Sequence, residues 1–205
     1  MENEVKEPAP KYNYVSPEEY LQMERVSDKK HEYYNGEVFA MSGASWEHNV
    51  IVKNVNTLIL PSLKGKSCNM FGSDLRIHIP ENSLYTYPDF SIVCGQPETT
   101  DKNKDTIIKP YAIIEVLSKS TRDYDRGTKF SLYRTIQTLK EYILIESESV
   151  SVELFIRNPD NTWTLSEFKR LSDNIFISTI KITLQLRDIY EDLSLENIQP
   201  TIHGK

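Results

Sequence analysis

Residues 111–117 read Tyr111-Ala112-Ile113-Ile114-Glu115-Val116-Leu117, a continuous apolar run interrupted by one carboxylate. Side chains that stay apolar on successive residues describe a strand covered on both faces, as in the interior of an α/β or α+β sheet. Glu115 is out of place there. An ionised carboxylate moved out of water without a partner is strongly destabilising. Glu115 must therefore be paired with a base, be neutralised by a raised pKa or hold a cation.

Moving outward, residues 87–94 (YPDFSIVC) form the preceding strand, with Phe90, Ile92 and Cys94 on one face and Asp89 sharing the other with Ser91. Taken alone, Asp89 is an exposed strand-end residue after a proline; beside Glu115 it is a second inward carboxylate. Two such groups offer hard oxygen ligands to Mg²⁺, which is held by one or two carboxylates plus water and substrate phosphate. Downstream, a helix is expected from about Asp125 to Gln137. Helical spacing puts Lys129 on the stripe of Leu132, Tyr133 and Ile136 that must pack on the sheet. Its stem can snorkel to solvent, but an inward lysine beside two carboxylates is what phosphodiester cleavage requires.

The flanking chain supplies the remaining elements. Ser16-Pro17-Glu18-Glu19 is a capping box opening a short helix to about Glu24, and Asn35-Gly36 marks a two-residue hairpin. Ser45 caps a longer helix expected to end at Pro61, with His48, Val52, Val55 and Ile59 on one face. Residues 74–79 alternate, with Leu75, Ile77 and Ile79 opposite Arg76 and His78, as in a half-buried strand. Strands follow at 141–146, 151–157, 162–168 and 180–186, then a closing helix at 187–193. The expectation is one α/β or α+β domain over 14–193, with disordered tails at 1–13 and 194–205.

Composition narrows the function. The chain has 205 residues and a net charge of −6, from 24 Lys and Arg against 30 Asp and Glu. That excludes a uniformly basic coat for nucleic acid, which must release counterions from many phosphates. A local exception is the segment 119–140, where Lys119, Arg122, Arg126, Lys129, Arg134 and Lys140 oppose only Asp123 and Asp125. Cys68 and Cys94 make neither a disulfide framework nor a metal-like pair, so a reducing cytoplasm is the expectation. No apolar run reaches the roughly 20 residues that span a bilayer, and the polar N-terminus has no apolar leader segment.

In order and approximate spacing, several motifs resemble the Uma family of restriction-endonuclease-like proteins in the PD-(D/E)XK superfamily. They are Asn35-Gly36-Glu37, His48, Ser73-Asp74-Leu75-Arg76, Tyr87-Pro88-Asp89, Glu115-Val116-Leu117-Ser118, Ser120-Thr121, Asp125-Arg126-Gly127, Lys129, Tyr133 and Glu141-Tyr142. The resemblance runs from about Tyr14 to Leu193. It implies a restriction-endonuclease-like core, a central mixed β-sheet flanked by helices, with additional C-terminal strands. Asp89 and Glu115 fall on the metal-ligand positions, with the Val116 carbonyl beside them. Leu117 stands where the motif's lysine would be, and Lys129 on the next helix matches the family's displaced lysine.

Glu37 resembles the family's further acidic site residue. His48 reads either as a substrate contact or as a hydrogen-bonded core residue, Lys119 as a phosphate contact or a solvated turn, and Tyr133 as core packing with a hydroxyl that reaches the site. The implied activity is a metal-dependent endonuclease using Mg²⁺, with Mn²⁺ as a substitute, on nucleic acid and specifically DNA, as a homodimer. The rival reading is a nuclease fold that has lost catalysis and binds nucleic acid or a protein.

Overall fold

The computed structural model describes residues 14–195; the expected tail at 1–13, and all of that at 194–205 beyond 195, lie outside the described residues. The Ser16 hydroxyl accepts from the Glu19 N–H and the Glu19 carboxylate takes the Ser16 N–H, so the capping box is complete at the start of α1 (Pro17–Glu24). Asn35 and Gly36, at φ 52 and 91, make the tight turn from β1 (His31–Tyr34) to β2 (Glu37–Ala40), since both central positions of such a turn need positive φ. Ser45 caps α2 (Trp46–Leu63), which continues past Pro61. The proline removes one helical hydrogen bond, yet buried Leu63 holds the final turn in the core.

The chain then forms β3 (Cys68–Gly72), β4 (Arg76–Ile79), β5 (Leu84–Thr86), β6 (Phe90–Cys94), β7 (Thr106–Ile107) and β8 (Ala112–Leu117). A helical crossover of α3 (Arg122–Tyr124), a π-turn (Asp125–Lys129) and α4 (Phe130–Tyr133) leads to β9 (Glu141–Glu146), which lies parallel to β8. Then come β10 (Val152–Arg157), β11 (Trp163–Phe168), β12 (Asn174–Ile177), β13 (Ile182–Gln185) and α5 (Leu186–Ile189). The central sheet has the order β11-β10-β9-β8-β6-β3 and is mixed; a second sheet runs β2-β1-β5-β4-β7, and β12 and β13 form a hairpin.

Both faces of the central sheet are covered, which explains the unbroken apolar run of β8. On one face Ala112, Ile114 and Val116 share a core with Ile51, Val55 and Ile59 of α2 and with Ile175 and Ile177 of β12. On the other, Ile113 and Leu117 pack with Phe130, Leu132 and Tyr133 of α4 and with Ile77, Ile79 and Leu84 of the second sheet. Alternation puts Glu115 with Ile113 and Leu117. The carboxylate is thus sealed between α4 and the second sheet.

Several expectations change: besides α2 running past Pro61, the expected helix from Asp125 is a π-turn followed by α4, which ends at Tyr133, and β3, β5 and β7 were not expected. Arg76 is not on a solvated strand face: it is buried, donating to the Tyr87 hydroxyl at 2.7 Å and to Thr106 at 3.0 Å, because β7 and α1 cover that side of β4. Cys68 and Cys94 are bonded to each other; the β3–β6 register sets them directly opposite, which a separation of 26 residues does not reveal. β12, absent from the sequence reading, pairs with β13 through Ile175 and Ile177 facing the core.

Gly36→Ala should lower stability by about 1–2 kcal/mol, the usual penalty for an L-residue in the left-handed region, because Gly36 has φ 91 and its Cβ would fall 2.2 Å from the Tyr14 ring. Gly43→Ala, with nothing within 4 Å of its Cβ, should leave the melting temperature nearly unchanged. Thermal denaturation of the two variants side by side checks this.

Candidate active site

The site begins as a consequence of register. β6 and β8 pair Ile92↔Ala112, Ser91↔Ile113 and Phe90↔Ile114, and one more step sets Asp89 opposite Glu115. Directly opposed residues share a face, and like charges there repel. Backbone groups partly compensate: the Asp89 N–H donates to Glu115 Oε2 at 3.2 Å and the Val116 N–H donates to Asp89 Oδ2 at 2.8 Å. The two backbone groups of an extended residue point to the same side of its strand. The Val116 carbonyl is therefore directed to the β6 side, beyond the last β6–β8 pair.

Lys129 supplies the opposite charge. Its Nζ lies 2.9 Å from Glu115 Oε1, 3.1 Å from Glu32 Oε1 and 3.4 Å from Asp125 Oδ1, with the side chain only 6% exposed. Asp125 and Lys129 are the two ends of the π-turn, a wide helical turn that recurs at functional sites. The Tyr133 hydroxyl, one α-turn further on, donates to Glu115 Oε1 at 3.0 Å. Thr86 of β5 donates to Glu32. From the first turn of α2, His48 Nε2 meets Asp89 Oδ2 at 3.1 Å, while its buried Nδ1 has no partner.

Charge dominates the arrangement, with Glu115, Glu32 and Asp125 facing one ammonium and Asp89 next to Glu115. Burial pushes the Glu115 carboxyl up to about 8 against the opposing pull of Lys129. Burial also pulls the Lys129 ammonium down, but attraction from Glu115, Glu32 and Asp125 outweighs this and holds it well above its ordinary value. The Tyr133 phenol is raised by burial and then by the Glu115 charge. The lysine is therefore a fixed cation, and Glu115 is a group that another cation could ionise.

The donor set fits Mg²⁺. Asp89 Oδ1 accepts no hydrogen bond among the described residues, the Asp89 side chain is 17% exposed, and Glu115 Oε2 is engaged only by the Asp89 N–H. Hard carboxylate oxygens with open positions suit an ion that keeps several waters. Among the described residues no group of three or more His, Cys, Asp or Glu side chains is placed to hold a metal ion; an ion here would rest on two carboxylates and water.

The structure brings Asp89, Glu115, Val116, Lys129 and Tyr133 together, and adds His48 against Asp89, a partner the sequence did not indicate. Glu37 does not join them: it is exposed at the hairpin tip opposite Tyr34, with no ion pair or hydrogen bond among the described residues. Glu32 is the hairpin acid that reaches Lys129, because Tyr33 turns to Tyr20 and Tyr85 while Glu32 and Tyr34 face the α4 side. Asp125 was legible from its i, i+4 spacing to Lys129. The basic segment is also partly neutralised. Arg122 pairs with Glu146 and Glu148, and Arg126 with Glu153 and Glu146, leaving Lys119, Arg134 and Lys140 without carboxylate partners among the described residues.

Residues 17–187 match the family Uma2, described as "Putative restriction endonuclease". The uncharacterized protein slr1290 of Synechocystis sp. (strain ATCC 27184 / PCC 6803 / Kazusa) is 37% identical over 91% of this chain and 97% of its own length. A second protein of that organism, sll1609, is 35% identical over 80% and 93%. The crystal structure of "a putative nuclease belonging to DUF820" from Anabaena variabilis ATCC 29413 superposes with a TM-score of 0.72 at 16% identity, covering 86% of this chain and 97% of that one. The fold is thus the restriction-endonuclease-like α+β fold.

The raised Glu115 carboxyl fixes the sign of a pH effect. Between the unfolded value near 4.5 and the folded value of about 8, the native state binds the extra proton, so stability falls as pH rises. The melting temperature of metal-free protein should decline from about pH 5 to about pH 8 through this group. Glu115→Gln should flatten that slope, and added Mg²⁺ should raise the melting temperature of the wild type most at the alkaline end. An unchanged slope in Glu115→Gln would refute the assignment.

Proposed function

The chain belongs to the Uma2 family of restriction-endonuclease-like proteins, and from that premise we propose that it is a Mg²⁺-dependent endonuclease hydrolysing phosphodiester bonds of DNA. The observation that carries this is the pair of opposed carboxylates, Asp89 with a free oxygen and Glu115 held by a buried lysine. Asp89, Glu115 and the Val116 carbonyl would hold the ion, and Mn²⁺ would substitute. When bound, Mg²⁺ supplies Lewis acidity, polarising a phosphoryl oxygen and making water a better nucleophile.

The remaining roles belong to the chain itself. Tyr133 and Lys129 both bond Glu115 Oε1, which fixes the carboxylate and turns Oε2 towards Asp89. His48 and the Val116 N–H do the same for Asp89 through Oδ2, leaving Oδ1 for the ion. Lys129 has three donors and three acidic neighbours. Asp125, at 3.4 Å, is the most distant of these and the contact that a substrate oxygen would replace. Once exchanged, the ammonium would stabilise charge growing on the phosphoryl oxygens.

We place this activity in the cytoplasm, where such substrates are met. Among the described residues no helix is long and apolar enough to cross a membrane. Reduction of the Cys68–Cys94 bond there would leave the β3–β6 backbone pairing to hold the sheet.

Asp89→Asn, Glu115→Gln and Lys129→Gln should each slow Mg²⁺-dependent cleavage at least ~100-fold, the scale of losing one charge-stabilising group, with circular dichroism unchanged. Glu32→Gln should reduce the rate as well, and Glu37→Gln should not. Cleavage of plasmid and oligonucleotide DNA, with Mg²⁺ or EDTA, measures this. Turnover that persists in EDTA or in all three variants would defeat the proposal, and metal-stimulated binding without cleavage would favour the non-catalytic reading.

A further inference from the structure

A cleft lined by none of the acidic cluster lies where the end of the crossover meets the β10–β11 hairpin. Arg157 and Trp163 oppose each other at the last step of the β10–β11 pair, and the Arg157 guanidinium sits 4.6 Å from the centre of the indole. Trp163 meets Phe130 of α4 edge-on at 5.2 Å, and the Arg134 guanidinium lies over the Phe130 ring, also at 5.2 Å. Guanidinium groups are planar and weakly hydrated, so aromatic faces hold them in fixed orientation. Together with Ser131, Thr135 and Gln137, the two arginines and Trp163 line a cleft of about 370 Å³, a size that suits a small ligand.

The hydrogen bonds already made define what the cleft still offers. Arg157 spends Nε on the Leu139 carbonyl at 2.7 Å, and Nη2 on the carbonyls of Arg134 at 2.7 Å and Ile136 at 2.9 Å. An arginine closing the carbonyl end of a helical segment does this. Its Nη1 has no partner among the described residues, nor has any nitrogen of the Arg134 guanidinium. The Ser131 and Thr135 hydroxyls donate to the Thr128 and Leu132 carbonyls, and Gln137 Nε2 donates to that of Thr135. The open donors are therefore chiefly guanidinium N–H groups.

No carboxylate balances them. The acids nearest Arg157 in sequence are engaged elsewhere, Glu153 by Arg126 and Asp160 by Thr162. Burial, and then the Arg134 charge, pull the Arg157 guanidinium below its ordinary value. Two like charges thus share one cleft without a counter-charge, in a protein with 30 acidic side chains against 24 basic ones.

We propose that this cleft is a binding site for a phosphomonoester, held by Arg134 and by Nη1 of Arg157. A guanidinium fork matches two oxygens of such a group, and two guanidinium charges match its charge of about −1.5 to −2 at neutral pH. Free phosphate and the phosphorylated end of a nucleic-acid strand present the same chemistry. The site needs no metal and is independent of the nuclease reading.

The two tryptophans of the chain allow a direct test. In a Trp46→Phe background Trp163 is the only indole, and its fluorescence, with calorimetry beside it, can follow titrations at constant ionic strength in EDTA. The probes are inorganic phosphate and a short oligothymidylate carrying either a 5′-phosphate or a 5′-hydroxyl. Inorganic phosphate should bind saturably. Arg134→Gln removes a side chain that makes no hydrogen bond among the described residues, and Gln137→Glu adds a negative charge to the cleft at equal size. Each should weaken phosphate binding at least ~10-fold, the scale of one hydrogen bond to a charged group, without lowering the melting temperature. If the 5′-phosphorylated strand binds more tightly than both inorganic phosphate and the 5′-hydroxyl strand, the ligand is a strand end; if it binds no more tightly than inorganic phosphate, the ligand is the small anion. Two results would overturn the site: binding unchanged in both variants, or no binding of inorganic phosphate together with no advantage of the 5′-phosphate. EDTA keeps Mg²⁺ out, so neither outcome bears on DNA cleavage.

Discussion

Asp89 and Glu115 are held opposite each other by one step of β-sheet register, and most of the site is a response to that repulsion. A strand cannot relieve it by sliding, because a shift of one residue would turn the Glu115 carboxylate into the apolar core under α2 and β12. Neutralisation must come from elsewhere. Lys129 and Tyr133 approach Glu115 from the crossover helix, His48 approaches Asp89 from the start of α2, and two backbone N–H groups fill the gap between the strands. On the proposed reading, the remaining negative charge is what a divalent cation would balance.

β6 is fastened at both ends. Just before Asp89, the Tyr87 hydroxyl donates to Glu24 at 2.9 Å and accepts from Arg76 at 2.7 Å, tying the entry to β6 to α1 and β4. Past its centre, Cys94 is bonded to Cys68 of the edge strand β3. The second sheet is attached to the same network through α1 and carries Glu32 to the far side of Lys129. The lysine is thus enclosed by acids from β1, β8 and the π-turn. A buried charge of this kind is tolerable only with such complete pairing.

Much of this was legible in the sequence, because burial contradicts chemistry there. Glu115 stood out inside an apolar run, Asp89 repeated the anomaly, and helical spacing aimed Lys129 at the sheet. What escaped depended on tertiary contacts. Glu32 and Glu37 sit in the same short hairpin, and only the packing of Tyr33 on Tyr20 and Tyr85 shows which acid faces the site. Arg76 looked solvated because nothing local reveals β7 and α1 over its strand. The Cys68–Cys94 bond likewise arises from a pairing of strands far apart in the chain, whereas β12 pairs locally with β13 and was simply not recognised. The basic character of segment 119–140 was real in composition but partly cancelled by Glu146, Glu148 and Glu153 on neighbouring strands.

The π-turn carries an implication for how this family can change. A helical turn wider than the α form accommodates one residue more than its neighbours, and removing one would let the segment relax towards an α-helix. Each residue of an α-helix advances the side chain by about 100°, so after such a deletion Asp125 and Lys129, three residues apart, would still share a face, but the distance along the crossover from Asp125 to the rest of α4 would shorten by one residue. With its lysine on the crossover instead of on the Glu115 strand, the site depends on the number of residues between the two as much as on their identity. On the proposed reading, a change in the length of this segment would alter how Asp125 and Lys129 meet Glu115 while every recognisable motif stayed in place.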